Sequence, residues 1–423
     1  MNTRAAIASH DCEAAAGKAP AVSVDAARRM AVEAADAVAQ TTTLDLGSAI
    51  GRVIAADYSS RLDLPPFNAS AMDGYAVRGP YGSNEGPSRY RIVAETRAGD
   101  AAASCIDSGE TVRIFTGASV PTGCDAVLVQ EQCIQVEDSI EHFGRVRAGQ
   151  NVRRRGEDVR LGQSLAQSGI TLTAGRAALL AAGGHSAVSV FRRIKVGLLS
   201  TGNELREPGA DLSFGQIYNS NRMFLSGMLA THAWVEIVDL GTVPDDPALL
   251  HRVFREAEDS CDALLTTGGV SAGSADHVTR VMREAGARFD VMKVAMRPGK
   301  PLKIGRLRKL MVLGLPGNPV AALVGFRQFA LPALRKIAGH VSTGPVWRTG
   351  VAAFSYAKRT GRTEFLPINL VGEDDDGRPL AHLAGSGSSA SVFGLGSAEA
   401  ICMLPSGTDR LVPGDRVSFE ALY

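Results

Sequence analysis

The chain has 423 residues, 45% of them hydrophobic and 21% charged, and these values are typical of a globular protein. Its 45 basic and 44 acidic residues leave a net charge of +1, so no global positive field can hold nucleic acid or an anionic membrane. Any anion-binding site must therefore be local, and the length predicts roughly two to four domains.

Targeting and redox signals are weak in this sequence. Six cysteines, none in a Cys-x-x-Cys pair or near a histidine at zinc-finger spacing, favour free thiols over a disulfide framework. Residues 1–22 are expected to be a disordered leader, because charged residues interrupt the apolar run that a signal peptide needs. No stretch approaches roughly 20 uninterrupted apolar residues, so no transmembrane helix is expected and a cytoplasmic location is predicted.

Up to residue 192 the sequence predicts two separated helical segments with β-rich sequence between them. The predicted helical units are Val24–Val38, with Asp25 as a plausible cap, the amphipathic run Leu44–Ala56, and Thr173–Ala182, which Gly183-Gly184 stops. We expect these units to pack together as one discontinuous helical domain, residues 23–62 and 153–192. Short β-rich runs bounded by turns predict an inserted β-rich domain, residues 63–152.

From residue 193 strands and helices alternate. The predicted elements are, in order, Ile194–Ser200, Asn219–Thr231, Val235–Leu240, Ala248–Glu258, Asp262–Thr266, Ala275–Glu284, Leu310–Leu315 and Val320–Ile337. This alternation predicts an α/β domain, residues 193–340, with a parallel sheet whose ligands bind beyond the carboxyl ends of the strands. The β pattern that returns after it predicts a small all-β domain, residues 341–423.

Two glycine-containing loops directly follow predicted strands. They carry Ser200, Thr201 and Gly202 in one case, and Gly268, Gly269 and Ser271 in the other. Glycines let a ligand approach the backbone closely, and N–H groups at a following helix suit phosphate. One such loop is adequately explained as a tight turn, but two at one sheet edge favour a phosphorylated ligand.

Two further loops of the α/β region are candidates for ligand binding. In Pro316-Gly317-Asn318-Pro319, Asn318 is placed to cap a helix that begins at Pro319, and capping alone explains the motif. Lys293, Arg297 and Lys300 flank the turn Pro298-Gly299. Fixed cations on a stiff loop suit an oxyanion such as molybdate or phosphate, although a solvated basic loop is the commoner case.

Several acidic residues follow predicted strands, namely Glu204, Asp245, Asp246 and Asp276. Carboxylates beside phosphate-binding loops suggest magnesium, but each could instead cap a helix, as Asp246 before Pro247 illustrates. Elsewhere, Asp73-Gly74 is a turn signal. The run that begins Arg153-Arg154-Arg155 is either a surface ion-pair cluster or an anion site.

Eight ordered segments closely resemble the molybdopterin molybdenumtransferase family, known as MoeA in bacteria and as the gephyrin E domain in animals. They are Ser70–Arg78, Ile114–Glu131, Asn151–Val159, Ser200–Leu205, Gly215–Arg222, Thr266–His277, Arg297–Pro301 and Gly314–Ala322. They cover most of the chain from about residue 24. The resemblance implies a multidomain α/β plus β architecture: a helical linker domain, an inserted β-rich domain, a molybdopterin-binding α/β domain and a C-terminal β-barrel.

The resemblance also implies that the protein is a transferase, which joins molybdate to adenylated molybdopterin and releases AMP with the help of Mg²⁺. The catalytic residues implied are Asp73, Thr116, Glu204, Asp245 and Asp276, of which Glu204, Asp245 and Asp276 would hold the metal. The substrate-binding residues implied are Ser200, Thr201, Gly202, Asn221, Gly268, Gly269, Ser271, Lys293, Arg297, Pro298, Gly299, Lys300, Pro316, Gly317, Asn318, Pro319 and Arg153.

The implied partners are a second copy of the chain, in an elongated homodimer with an intersubunit site, and, transiently, an adenylyltransferase and acceptor molybdoenzymes.

Two residues depart from the family pattern, Asn68 where many members have Asp and Arg297 where many have Lys. Two alternatives stay open from the sequence. A stand-alone molybdopterin adenylyltransferase would lack the inserted and C-terminal domains, and a non-catalytic scaffold would bind the pterin without turnover.

Overall fold

The computed structural model describes residues 21–79, 87–101, 106–269, 277–291, 293–385 and 387–423. The elements up to residue 191 are, in chain order, α1 (Val24–Glu33), β1 (Thr41–Asp45), β2 (Tyr58–Ser59), β3 (Ala69–Ser70), β4 (Gly74–Val77), β5 (Ser88–Thr96), β6 (Glu110–Ile114), β7 (Ala126–Val129), β8 (Cys133–Val136), β9 (Ser139–His142), β10 (Val152–Arg153), β11 (Ser164–Ala166), α2 (Ala174–Ala182) and β12 (Ala187–Phe191).

The first helical segment differs from its prediction at both ends. Ser23, not Asp25, caps α1, because the Ser23 hydroxyl accepts a hydrogen bond from the Ala26 N–H at 3.2 Å. The helix ends at Glu33, and the predicted helical run Leu44–Ala56 is wrong. Three consecutive β-branched threonines begin β1 there, and β1 pairs antiparallel with β12.

The inserted part is built on a sheet in the order β7-β4-β6-β5-β9-β8. All its neighbouring strands are antiparallel except β5 and β6. Strand β4 lies between β6 and β7 so tightly that a Cβ on Gly74 would stand 1.8 Å from the Leu128 carbonyl oxygen. Only glycine fits there, and this requirement fixes Asp73 at the start of β4 beside the end of β6.

The elements from residue 194 to residue 337 are, in order, β13 (Ile194–Thr201), β14 (Leu205–Arg206), β15 (Ile217–Tyr218), α3 (Ser220–Ala230), β16 (Val235–Val243), α4 (Pro247–Ser260), β17 (Ala263–Thr267), α5 (His277–Glu284), β18 (Arg288–Val291), β19 (Met296–Arg297), β20 (Lys303–Leu307), β21 (Leu310–Leu315), α6 (Pro319–Gly325) and α7 (Leu331–Ile337). A π-helical turn, Phe326–Ala330, joins α6 to α7.

The main sheet has the order β16-β13-β17-β21-β20-β18. The first four strands are parallel, as predicted. The sequence did not predict β20 or β18. Strand β20 pairs antiparallel with β21, because a tight hairpin with Arg308 at φ 52° reverses the chain between them, and β18 pairs antiparallel with β20. Helices α4 and α5 cover one face, while α3, α6 and α7 cover the other.

Helix α1 packs on the α/β part and not on α2. Its buried residues Val24, Ala27 and Ala31 share a core with α7, and Arg28 donates to the Gln328 carbonyl oxygen at 3.1 Å. Helix α2 buries Ala177 and Leu180 in a separate core together with strand β12. The predicted packing of the helical units is therefore wrong for α1, whereas the run Leu44–Ala56 does share a core with α2 through Ala49 and Ile54.

The remaining elements are β22 (Arg348–Ala352), β23 (Tyr356–Ala357), β24 (Thr363–Glu373), β25 (Pro379–Leu383), α8 (Val392–Ser397), β26 (Ala400–Leu404), β27 (Arg410–Leu411) and β28 (Arg416–Ala421). Strands β24, β25, β22, β28 and β26 close into a ring, because β24 also pairs with β26, and this confirms the predicted barrel. Strand β19 of the α/β part pairs parallel with β24, which ties the basic loop to the barrel. No helix in the described ranges is both long and apolar enough to cross a membrane.

Candidate functional site

Three loops meet at the carboxyl edge of the parallel sheet. In the strand register Ser200 lies opposite Thr267, and Thr267 lies opposite Leu315. The loops that follow β13, β17 and β21 therefore start side by side, as the sequence predicts. Topology alone makes this edge a binding cleft, because the helices that follow turn to opposite faces of the sheet.

A cavity of about 440 Å³, here called the inner cavity, opens between these loops. Its lining residues are Thr201, Glu204, Leu205, Ile217, Tyr218, Asn219, Ser220, Asn221, Thr267, Gly268, Gly317, Asn318, Pro319, Ala390 and Val392. Two polar atoms in it, Thr201 Oγ1 and Asn221 Oδ1, are buried without a hydrogen-bond partner in the described structure. Buried polar atoms rarely stay unpaired, so both indicate a polar ligand.

The glycines of the second loop are required by close packing. A Cβ on Gly268 would lie 2.1 Å from the Thr201 carbonyl oxygen, and Gly268 has φ +84°. A Cβ on Gly269 would lie 2.3 Å from the Val278 side chain. The first two loops thus touch through backbone, and this contact holds Thr201 at the cavity wall. Asn221 holds the third loop, which follows β21, because its Nδ2 donates to the Gly317 carbonyl oxygen at 2.6 Å.

A second cavity of about 650 Å³, here called the basic cavity, adjoins the inner one and shares Asn318 with it. The predicted residues Arg297, Pro298, Gly299, Lys300 and Pro316 line it. The barrel adds residues that the sequence reasoning missed, chiefly Tyr356, Arg362, Glu364, Ser388 and Ser389. No local sequence signal identifies these residues. The pairing of β19 with β24 brings Arg362 and Glu364 to the loop, and the Val320 N–H, which donates to the Ser389 carbonyl oxygen at 3.1 Å, holds Ser389 there.

The charge of the basic cavity is only partly compensated. Glu364 is 4% exposed, accepts a hydrogen bond from Tyr356 Oη at 2.9 Å, and lies 3.7 Å from Arg297. Burial and the neighbouring Glu364 raise the pKa of Tyr356, which stays a neutral donor. Lys300 and Arg362 have no carboxylate within ion-pair distance in the described ranges, so the cavity suits a small oxyanion.

Asn318 lies on the wall between the two cavities. It occupies the N-cap position of α6, and Pro319 takes the first helical position as predicted. The predicted capping hydrogen bond of Asn318 is wrong, however, because its Nδ2 donates to Ser389 Oγ at 3.2 Å instead. The side chain therefore links the α/β part to the barrel at the point where both cavities meet.

The predicted acidic residues separate into different roles. Asp246 caps α4, because its carboxylate accepts from the Ala248 and Leu249 N–H groups at 2.8 and 3.0 Å. Asp245 differs, since its Oδ1 is buried without a hydrogen-bond partner in the described structure. The Asp245 N–H donates to Asn203 Oδ1 at 3.2 Å, which brings the neighbouring Glu204 to the same edge. Asp276 and Ser271 lie outside the described residues.

The described residues contain no group of three or more acidic, histidine or cysteine side chains that could hold a metal alone. Magnesium, however, commonly uses one or two carboxylates together with water and substrate phosphates. An unpaired buried carboxylate oxygen on Asp245 and a nearby exposed Glu204 fit that mode of binding.

Asp73 and Thr116 form a pair on the inserted sheet. Asp73 Oδ1 accepts from both the N–H of Thr116 at 2.7 Å and its hydroxyl at 2.8 Å. These two bonds hold the pKa of Asp73 below its usual range. The pairing of Gly74 with Ile114 places the two residues together. Neither residue lines the inner or the basic cavity of its own chain.

The other predicted residues lie around the site or away from it. Ser200 is fully buried behind the inner cavity, within 3.2 Å of Thr267 Oγ1. Gly202 has φ +151° in the turn before Glu204. The Lys293 carbonyl oxygen accepts from the Val22 N–H at 3.2 Å. Arg153 lies on β10 and pairs with Glu157 at 3.0 Å, as the surface ion-pair interpretation predicts.

Asn68, one of the two departures from the family pattern, has a local structural role. Its Oδ1 accepts from the Arg155 N–H at 2.9 Å, which is an acceptor function that Asp would also provide. The position therefore holds the Arg153–Arg155 turn against the inserted part, and it lines neither cavity.

Comparison with known proteins gives matches along most of the chain. Three family models match: "MoeA N-terminal region (domain I and II)" over residues 22–184, "Probable molybdopterin binding domain" over 197–336, and "MoeA C-terminal region (domain IV)" over 349–422. A molybdopterin molybdenumtransferase of Haemophilus influenzae is 38% identical over 81% of this chain and 85% of its own length. One from Nostoc is 34% identical over 90% of this chain and 89% of its own.

The fold gives the same result. A solved structure titled as the molybdopterin biosynthesis moeA protein from Pyrococcus horikoshii matches 95% of this chain and 100% of its own, with a TM-score of 0.81 and 26% identity. Sequence order, fold and the arrangement of the three loops agree with one another. The chain therefore belongs to the molybdopterin molybdenumtransferase family.

Proposed function

We propose that the protein is a transferase that inserts molybdate into adenylated molybdopterin and releases AMP to give molybdenum cofactor. The observation that carries this proposal is the pair of adjoining cavities that share Asn318. One has unpaired polar atoms and glycine loops suited to a phosphorylated pterin, and the other has uncompensated cations suited to an oxyanion.

In this proposal the inner cavity binds the adenylated pterin. Thr201 Oγ1 and Asn221 Oδ1 take polar groups of the ligand, and the backbone of the glycine loops lies against its phosphates. The basic cavity holds molybdate between Arg297, Lys300 and Arg362. The protein then acts mainly by positioning, because it fixes the oxyanion beside the dithiolene sulfurs and excludes competing ligands.

Magnesium dependence is part of the proposal. Glu204 and Asp245 would hold Mg²⁺ together with Asp276, and the ion would supply charge neutralisation at the adenylate phosphates. The neighbours Asp245 and Asp246 give a matched test. Asp245→Asn is expected to abolish Mg²⁺-dependent AMP release. Asp246→Asn should keep it, because asparagine caps a helix as well as aspartate does. Equal activity of the two variants would remove Asp245 from the metal site.

We further propose a homodimer in which the Asp73–Thr116 pair of one subunit completes the site of the other. The pair lines neither cavity of its own chain. Exposed apolar side chains accompany both surfaces: Ile217, 56% exposed, lines the inner cavity, and Met72, 43% exposed, lies beside Asp73 in the chain. Association of two subunits at these surfaces would remove the apolar side chains from water.

Complementation tests the intersubunit site. Asp73→Asn and Asp245→Asn are each expected to be inactive alone. Mixed dimers should regain activity, because one of their two sites then contains both native carboxylates. Mixed dimers without activity would place Asp73 and Asp245 in the same subunit's site and overturn the intersubunit proposal.

Two features of the proposal concern the surroundings of the enzyme. Of the described cysteines, Cys133, Cys261 and Cys402 are not in disulfides, and the dithiolene substrate also needs a reducing compartment. We therefore place the reaction in the cytoplasm. Transient contact with an adenylyltransferase and with acceptor molybdoenzymes remains a prediction.

The experiment that tests the proposed activity is a turnover assay with purified adenylated molybdopterin and magnesium, with and without molybdate. Molybdate-dependent AMP release that activates a cofactor-free molybdoenzyme is expected. Binding without AMP release would instead favour a non-catalytic scaffold. Synthesis of the adenylate from the free pterin and ATP would favour an adenylyltransferase.

A further inference from the structure

A buried lysine of the barrel holds the turn that carries Arg362. Lys358 is 8% exposed, and its Nζ donates to three main-chain carbonyl oxygens, of Thr408 at 2.8 Å, Arg362 at 3.0 Å and Arg359 at 3.4 Å. No carboxylate within the described ranges lies at ion-pair distance from it. An ammonium whose three N–H donors are all taken by carbonyl oxygens is held in one position.

The turn itself is fixed at both ends. The Lys358 N–H donates to the Asp409 carbonyl oxygen at 2.8 Å, and the Gly361 N–H donates to the Ser406 carbonyl oxygen at 2.8 Å. Between these points, residues 359–362 make no strand pairing, so the lysine ammonium provides the remaining anchor. The Lys358 ammonium therefore holds the backbone of residues 359–362, the segment that carries the Arg362 side chain.

Lys358 also lines a third cavity of about 730 Å³, which shares Arg297, Arg362 and Glu364 with the basic cavity. Within this third cavity the charges are four cations and one carboxylate, and Arg297 already lies 3.7 Å from that carboxylate. The ammonium thus supplies positive charge behind the oxyanion position as well as backbone hydrogen bonds.

We propose that Lys358 is a positioning residue for oxyanion binding, which holds the turn 359–362 so that Arg362 faces the basic cavity. The proposal rests on the function proposed above. It does not make Lys358 a ligand of the oxyanion, because its three donors are used by carbonyl oxygens. Its loss should therefore weaken molybdate binding and leave the inner cavity intact.

The test is equilibrium dialysis with molybdate alone, beside calorimetric titration with molybdopterin, on the full chain. Lys358→Met is expected to weaken molybdate binding by roughly tenfold or more, since hydrogen bonds from a charged donor are among the stronger ones. Its affinity for the pterin should stay within about twofold, and Lys358→Arg, which keeps charge and donors, should recover most of the molybdate affinity. Lys195→Met, at an exposed lysine 3.8 Å from Glu236, is the matched control and should change neither affinity.

Unchanged molybdate affinity in Lys358→Met would overturn the inference, as would an equal loss of pterin affinity, because the lysine would then only support the fold. Hydrogen exchange of the wild-type protein gives a measurement without substitution. Molybdate should slow exchange in residues 358–364, and an unchanged rate there would also overturn the inference. A wild-type protein that binds no molybdate would be a different result, which refutes the proposed oxyanion site and this inference with it.

Discussion

Replacing Gly268 by alanine tests the close backbone contact between the first two loops at the inner cavity. The added Cβ would stand 2.1 Å from the Thr201 carbonyl oxygen. Because ordinary contacts begin at about 3.5 Å, the first loop would have to withdraw by about 1.4 Å. A displacement of about 1 Å at a reacting centre can cost on the order of a hundredfold in rate.

Gly215→Ala is the matched control for this substitution. Gly215 also has a left-handed backbone, φ +82°, but a Cβ there meets nothing within 4 Å. Both variants should lose about 1 kcal/mol of stability from the backbone conformation. Only Gly268→Ala should lose further stability from overlap, about 1–3 kcal/mol, and most of its pterin affinity.

The assay is calorimetric titration with molybdopterin, beside urea unfolding of both variants. Pterin affinity in Gly268→Ala within about twofold of the wild type would refute the reasoning, because the 2.1 Å contact with the Thr201 carbonyl oxygen would then have no part in shaping the site.

Three further predictions concern charge and protonation. Asp73→Asn should abolish turnover and leave pterin affinity unchanged. An AMP-release assay and a calorimetric titration with molybdopterin measure the two quantities. Retained turnover would contradict the catalytic role of Asp73. Glu420→Ala removes the carboxylate that lies 2.6 Å from the buried Arg327 and leaves that charge with the Ala421 carbonyl oxygen as its acceptor. Urea unfolding should show a loss of about 3–5 kcal/mol, and a loss below about 1 kcal/mol would contradict this prediction. Burial and Arg335 lower the pKa of His232 and of His340 to about 4, whereas unfolded histidine titrates near about 6.5. The unfolded chain therefore binds protons first, and stability should fall as the pH drops from about 6.5 towards 4. Urea midpoints at pH 7 and 5 check this, and the fall should be smaller in a variant with glutamine at both histidines.

Features that depend on neighbouring residues could be predicted from the sequence. Alternating strands and helices bring the loops after β13, β17 and β21 to one edge, and the register confirms it. Asp246 before Pro247 has the sequence pattern of a helix cap, and it caps α4 in the structure. In both cases the signal lies within a few residues of the feature, where spacing and local conformation decide the outcome.

Features that depend on distant contacts could not be predicted. Helix α1 carries small apolar residues that fit several partners, and only the fold selects α7, some 300 residues away. Arg362 reaches the basic cavity because β19 pairs with β24, and no local pattern encodes that pairing. Asn318 has the sequence of a cap, yet Ser389 competes successfully for its side chain. The pairing of Asp73 with Thr116, 43 residues apart, likewise rests on the β4–β6 register.

The most direct test of the account is molybdate-dependent AMP release from adenylated molybdopterin by the wild-type protein and by Arg362→Gln, with activation of a cofactor-free molybdoenzyme as the second readout. The wild type is expected to release AMP and to yield active cofactor. Arg362→Gln should bind the pterin normally, but its half-maximal AMP release should need a molybdate concentration that is higher by roughly tenfold or more. Pterin binding without AMP release by the wild type, or an unchanged molybdate requirement in Arg362→Gln, would contradict the account.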